Sequence, residues 1–251
     1  MAELVVMSGS SLATFLRCPQ QWELAYVHRI RRPPRLRMAV GLAAHSAIEK
    51  NLRHKMQVWT DLPKEEVIET FVDEFKRDAQ DSPDEGKETK GNSQDSGIAT
   101  LGVWYDQVNP QIQPLAVEQH GQFTLNGIPY DWTADVVTQQ KRIRDWKFSL
   151  KKPSGDQYIV NMIGYAIGWR HESGEIESGV DLDYMVRTKQ PYHHNIPGST
   201  VPDEAIDAFT RALQSAYKSI NAGIYPPTGL SSGVCSWCAY SDGTCPAYRR
   251  A

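Results

Sequence analysis

Residues 128–149 read IPYDWTADVVTQQKRIRDWKFS, and this stretch decides the fold. Ile128, Tyr130, Trp132, Ala134 and Val136 alternate with Asp131, Thr133 and Asp135, the period of a strand with one apolar face. A turn near Gln139-Gln140 leads into a second strand, Arg142 to Ser149, in which Ile143, Asp145 and Lys147 share a face. A hairpin turning at about residue 140 sets Asp135 across from Asp145, with Cβ atoms about 4.5–5.5 Å apart. Two carboxylates that close repel unless a cation sits between them, and a divalent ion held by oxygen ligands fills that need. Lys147 beside them can align a water or steady charge building on a phosphorus centre. The competing reading is an exposed hairpin carrying a surface Asp145–Lys147 ion pair.

Upstream, Val117 to Leu125 has strand character and ends at Asn126-Gly127, a tight-turn signal. Downstream, a helix is expected from Gly155 to Arg170, a strand over Val180 to Arg187 and a helix over Asp203 to Ala222. That last helix turns Ile206, Phe209, Leu213, Tyr217 and Ile220 inward. The N-terminal third is helical: residues 10–26, interrupted at Pro19, then about 38–58 and 64–77. The second of these carries Leu42, His45, Ile48 and Leu52 on its inner face, so His45 is either a core histidine or a further metal ligand. Residues 80–97 contain no aliphatic or aromatic side chain and read as a mobile loop, followed by a short helix near 98–108. His193-His194 reads as surface or loop. The expected fold class is therefore α/β: a central mixed sheet flanked by helices. Residues 1–116 form a helical N-terminal part, 117–222 the catalytic core and 223–251 a cysteine-rich segment.

The chain has 251 residues and a formal net charge of −3, so bulk charge does not announce a nucleic-acid binder. Its distribution is more telling, because HRIRRPPRLR places Arg29, Arg31, Arg32, Arg35 and Arg37 in one run able to hold phosphates. No apolar run has membrane-spanning length and no secretory leader is visible, which leads to a cytoplasmic expectation. There is no phosphate-binding helicase loop, so coupling to unwinding would need a helicase or recombination partner. Four cysteines, Cys18 near the start and Cys235, Cys238 and Cys245 near the end, suit a four-thiolate metal site. Zinc and iron–sulfur clusters both use four thiolates.

Asp135 followed by Asp145-Trp146-Lys147 resembles the PD-(D/E)XK nuclease signature. Cys18-Pro19 and the Gly41-x-x-x-His45 spacing resemble its RecB-like branch, over roughly residues 8–57 and 117–251. The resemblance implies a restriction-endonuclease-like core in which His45, Asp135, Asp145 and the Trp146 carbonyl bind Mg²⁺ or Mn²⁺ and Lys147 is the catalytic lysine. Glu118 takes the place of a supporting acidic residue. Tyr165 fits the branch's Q-h-x-x-Y motif, with Asn161 standing for its glutamine and Gln157 one turn earlier as a substitute. The tail SGVCSWCAYSDGTCPAYRR resembles the cluster loop of AddB-type and CRISPR-associated RecB-like nucleases, which implies a [4Fe–4S] cluster on Cys18, Cys235, Cys238 and Cys245. The implied activity is a stand-alone, phage-type deoxyribonuclease acting on single strands or free ends. Exonuclease cleavage is the first expectation and endonuclease cleavage the second, in a monomer or an oligomer. A DNA-binding or integration accessory module is the alternative.

Overall fold

The computed structural model describes residues 5–248 apart from residues 33, 85, 87 and 153–157. A six-stranded mixed sheet lies between two layers of helix. Its strands are β1 (Met7–Ser8), β2 (Pro114–Leu125), β3 (Ile128–Thr138), β4 (Arg142–Ser149), β5 (Gly179–Val186) and β6 (Tyr192–Ile196). The helices are α1 (Gly9–Arg17), α2 (Pro19–Trp22), α3 (Leu36–Val58), α4 (Lys64–Asp78), α5 (Lys90–Val103), α6 (Ile159–Ser173) and α7 (Asp203–Asn221). The mixed α/β class expected from the sequence is the one observed. No helix among the described residues is long and apolar enough to cross a membrane.

One apolar cluster joins α1, α6 and α7 to the sheet through Leu12, Trp132, Ala166, Phe209 and Leu213. The other joins α3, α4 and α5 through Ala44, Ile48, Phe71, Leu101 and Trp146. Covered on both faces, β5 is buried along its whole length. Close approach of α6 to β3 depends on Gly164 and Gly168, one turn apart. A Cβ at Gly168 would lie 2.3 Å from the Trp132 ring, and one at Gly164 would lie 2.6 Å from the Tyr130 hydroxyl.

The edges of the sheet differ from the sequence expectation. His193-His194 is not a loop but part of β6. The strand forms because buried Asp183 gathers partners from both neighbours. Arg144 of β4 donates to it twice at 2.8 Å, and His193 and Asn195 of β6 lie 2.6 and 3.0 Å away. The N-terminal part is also not wholly helical, since β1 pairs in parallel with β3 through Met7↔Tyr130 and Ser8↔Asp131.

Residues 90–97 are helical rather than loop, as the first half of α5. Thr89 caps the helix by accepting from the Asn92 N–H at 3.2 Å. Over residues 90–97 it buries only Ser93 and Gly97, so no apolar period marks this half, and the apolar Leu101 follows only in the second half. Small size is what the packing requires, because a Cβ at Gly97 would lie 2.3 Å from the Phe71 ring. In α3 the inner face is turned from expectation. Ala39, Ala43, Ala44 and Ala47 are fully buried, whereas Leu42 is 50% exposed. The helix after β4 is described from Ile159, and the expected start near Gly155 lies outside the described residues.

Replacing Gly168 with Ala should lower stability by about 1–3 kcal/mol, the usual cost of overpacking. Denaturant titration checks this, and a midpoint equal to wild type would show that α6 can move away from Trp132 without penalty.

Candidate active site

The hairpin register is set by Val137↔Ile143 and Val136↔Arg144. Continued one step further, it would bring Asp135 opposite Asp145, but the ladder ends there and the strands part. The Trp146 N–H, which a continued ladder would engage with backbone, donates instead to Asp135 Oδ2 at 2.7 Å. β1 takes up the same edge of β3 further back, so the parting is a gap within the sheet.

A second irregularity faces this one. Val117 pairs with Val136 and Gln119 with Ala134, so Glu118 stands opposite Asp135. Glu118 has φ +48°, a left-handed conformation that costs a non-glycine residue of order 1 kcal/mol or more. Side-chain alternation changes phase at this step. Tyr130, Trp132 and Ala134 pack with α6 and α7, but Val136 packs with the α3 layer. The expected alternation through Val136 therefore stops at Asp135, because the backbone turns over beside Glu118.

His45 enters from α3. Its Nδ1 lies 3.4 Å from Asp135 Oδ1, and its Nε2 lies 3.0 Å from the Trp146 carbonyl oxygen, which can only accept. The indole of Trp146 is buried against Trp104, edge to face at 5.9 Å, and this fixes the strand that presents the carbonyl. His45, Glu118 and Asp135 have ligand atoms within 4.8 Å of one another, the one such group of three among the described residues. Burial acts to lower the His45 pKa, but the neighbouring Asp135 carboxylate outweighs it and raises the pKa to about 9. Burial and the Asp135 charge push Glu118 up to about 7. Asp135 is held below the ordinary carboxylate range, since His45 overcomes the burial that opposes its ionisation.

Asp145 completes the carboxylate set. Its Oδ2 is 2.5 Å from Lys147 Nζ and its Oδ1 accepts from the Tyr165 hydroxyl at 3.0 Å. Burial and the charge of Asp135 raise its pKa, with Lys147 opposing. Burial acts to lower the Lys147 pKa, but Asp145 and Asp135 overcome it, so the ammonium stays protonated. Tyr158 was not singled out in the sequence, yet its ring lies 4.9 Å from Lys147 Nζ. The available signal was spacing, since Tyr158, Asn161 and Tyr165 fall on one face of a helix at i, i+3 and i+7. Asn161 lies close enough to act on the Tyr165 hydroxyl, which donates its hydrogen bond to Asp145. It also packs at Gly9 of α1, where a Cβ would lie 3.1 Å from its side chain. Gln157 lies outside the described residues.

The arginine run lies between α2 and the first turn of α3. Arg29, Arg31, Arg32 and Arg37 are exposed and Arg35 is half-buried. Arg32 ion-pairs with Asp242 at 2.7 Å, which ties the run to the cysteine segment. Cys18 sits at the break between α1 and α2, where its extended backbone and Pro19 end the first helix. Its thiol lines one cavity with those of Cys235, Cys238 and Cys245, and all four are free. Gly229 forms part of the wall, and a Cβ there would stand 3.3 Å from both the Cys18 and the Cys235 sulfur. Burial and the other three thiols push Cys235 up.

Known proteins share this fold. The profile of the PD-(D/E)XK nuclease superfamily matches residues 6–246. No curated protein matches the chain in sequence. A crystal structure from Eubacterium rectale, provisionally named an exonuclease, superposes with a TM-score of 0.65 at 13% identity, covering 90% of this chain and 85% of that one. The structure of SSO0001 gives a TM-score of 0.46 at 12% identity, covering 100% of this chain and 90% of that one. At 13% identity the likeness to the Eubacterium rectale structure is one of fold, while the profile match spans nearly the whole sequence: the chain belongs to the PD-(D/E)XK nuclease superfamily.

Proposed function

We propose that this nuclease is a Mg²⁺- or Mn²⁺-dependent deoxyribonuclease of the RecB-like type, acting on single strands or free DNA ends as an exonuclease. The observation that carries the reading is the meeting of His45, Glu118 and Asp135 where β3 and β4 part, with Asp145 and Lys147 alongside. The donor set suits a hard divalent cation, being carboxylate oxygens, a backbone carbonyl and one imidazole. His45, Asp135, Asp145 and the Trp146 carbonyl would hold the ion, with Glu118 next to them. When bound there, such an ion supplies positive charge to a phosphate and acidifies a coordinated water.

The chain's own residues supply the rest. Lys147 remains an ammonium and offers a hydrogen bond to a water or phosphate oxygen. Tyr158 limits its swing by covering one side. Tyr165 fixes one oxygen of Asp145 and leaves the other beside Lys147. Burial of these groups keeps bulk water from screening their charges.

The cysteine cavity is read as the seat of a [4Fe–4S] cluster. Four thiols lining one cavity suit either a cluster or a zinc ion, and the resemblance of the tail to RecB-like cluster loops favours the cluster. Held by residues from both ends of the chain, the group would act as a crosslink on the unfolded state.

Lys147→Ala should cut the rate on labelled single-stranded DNA with Mn²⁺ by about 10²–10³-fold, as expected for removing one preorganised charge donor. A chelator should abolish wild-type cleavage, and Mg²⁺ or Mn²⁺ should restore it. Equal cleavage by wild type and variant would dismiss the mechanism. Cys18→Ala or Cys245→Ala should remove iron and brown colour and lower the melting temperature by more than it slows the remaining folded enzyme. An iron-free, equally stable variant would refute the crosslink, and a colourless wild type purified without air would indicate zinc.

A further inference from the structure

A groove of about 560 Å³ lies between the arginine run and the cysteine segment. Its walls include Arg35, Arg37, Met38 and Trp237. Trp237 is 51% exposed, although it sits between two half-buried cysteines, and Arg17 lies over its ring at 5.4 Å from the centroid. Met38 is 58% exposed and Leu42 is 50% exposed. Met38, Leu42 and His45 stand at i, i+4 and i+7 and therefore share one face of α3. Gly41 lies between the first two, and a Cβ there would meet nothing within 4 Å. An open apolar stripe thus runs along α3 from the groove to a residue of the candidate active site. Seven helical residues span about 10 Å, the rise of roughly three stacked nucleotides at about 3.4 Å each.

We infer that this stripe is a track for one DNA strand, with its phosphates at Arg35 and Arg37, a base stacked on Trp237, and the next bases passing over Met38 and Leu42 to the site at His45. Aromatic and apolar surface beside arginines is what binds an unpaired strand. Its bases expose π-faces that a duplex hides. The net charge of −3 gives no general attraction for DNA, so a local site of this kind has to supply it. The inference rests on the nuclease reading and extends it by naming where the strand lies beyond the cut.

Binding of an oligothymidine of about twelve nucleotides, followed by fluorescence anisotropy in EDTA, tests the track. Trp237→Ala and Leu42→Glu should each weaken binding about tenfold, Trp237→Phe should restore most of it, and a duplex of the same length should bind more weakly than the single strand. Arg35→Ala with Arg37→Ala should also flatten the salt dependence, by about 0.7 in log–log slope for each phosphate that is no longer neutralised. Leu42 and Trp237 lie on separate elements, so a folding defect in one variant leaves the other to decide. Wild-type affinity in both Trp237→Ala and Leu42→Glu, or equal affinity for the duplex, would overturn the track. If the expected losses appear in a protein that cuts no DNA with Mn²⁺, the track stands and the nuclease mechanism fails.

Discussion

Repulsion among clustered carboxylates is the constraint around which the molecule is arranged. Asp135 and Asp145 are buried and Glu118 is half-buried beside Asp135, and their charges cannot coexist there without positive partners. Two come from the chain, His45 against Asp135 and Lys147 against Asp145. Each arrives on an element that serves the fold in another way. α3 packs its alanines on the sheet and carries His45 at its half-buried edge. β4 pairs fully with β5, from Arg142↔Gly179 to Ser149↔Val186, and this holds Lys147 in place even though β4 has left β3. The firm β4–β5 pairing is in turn strengthened by Arg144 and Asp183.

The approach of α6 serves the same centre. Gly164 and Gly168 let the helix come close to β3, and Tyr165, between them, reaches Asp145. Ordinary side chains at the two glycines would move Tyr165 outward by the thickness of a methyl group. The packing of one layer and the hydrogen bonding of one carboxylate are thus a single geometric problem.

Much of this was readable from residues alone. Alternation gave β3 and β4, and the short turn gave the register that the structure keeps up to Val136↔Arg144. The parting of the strands one step later, and the left-handed backbone of Glu118 that faces it, leave no trace in the alternation. The first half of α5 carries no apolar period because the residues it buries are Ser93 and Gly97, where the packing demands small size rather than apolarity. Leu42 shows the converse: apolar character alone does not mark the buried face of α3, because alanines fill its tight interface and Leu42 stays exposed. Tyr158 could be placed beside Lys147 only once α6 was docked on the sheet.

The short strand β1 has a consequence for the order in which the chain can acquire its structure. Met7 and Ser8 complete the sheet only against Tyr130 and Asp131, and Cys18 meets its fellow thiols only after residue 245 exists. Residues 7–18 therefore find their partners only after segments more than a hundred residues downstream have been made. Such pairings join points far apart along the chain, which raises contact order and slows folding. Until they form, β3 presents an unfilled edge beside the acidic gap, and that edge is a ready template for pairing with another chain. The negative charges clustered there give the unfinished sheet a like-charge barrier against its own copies during that interval.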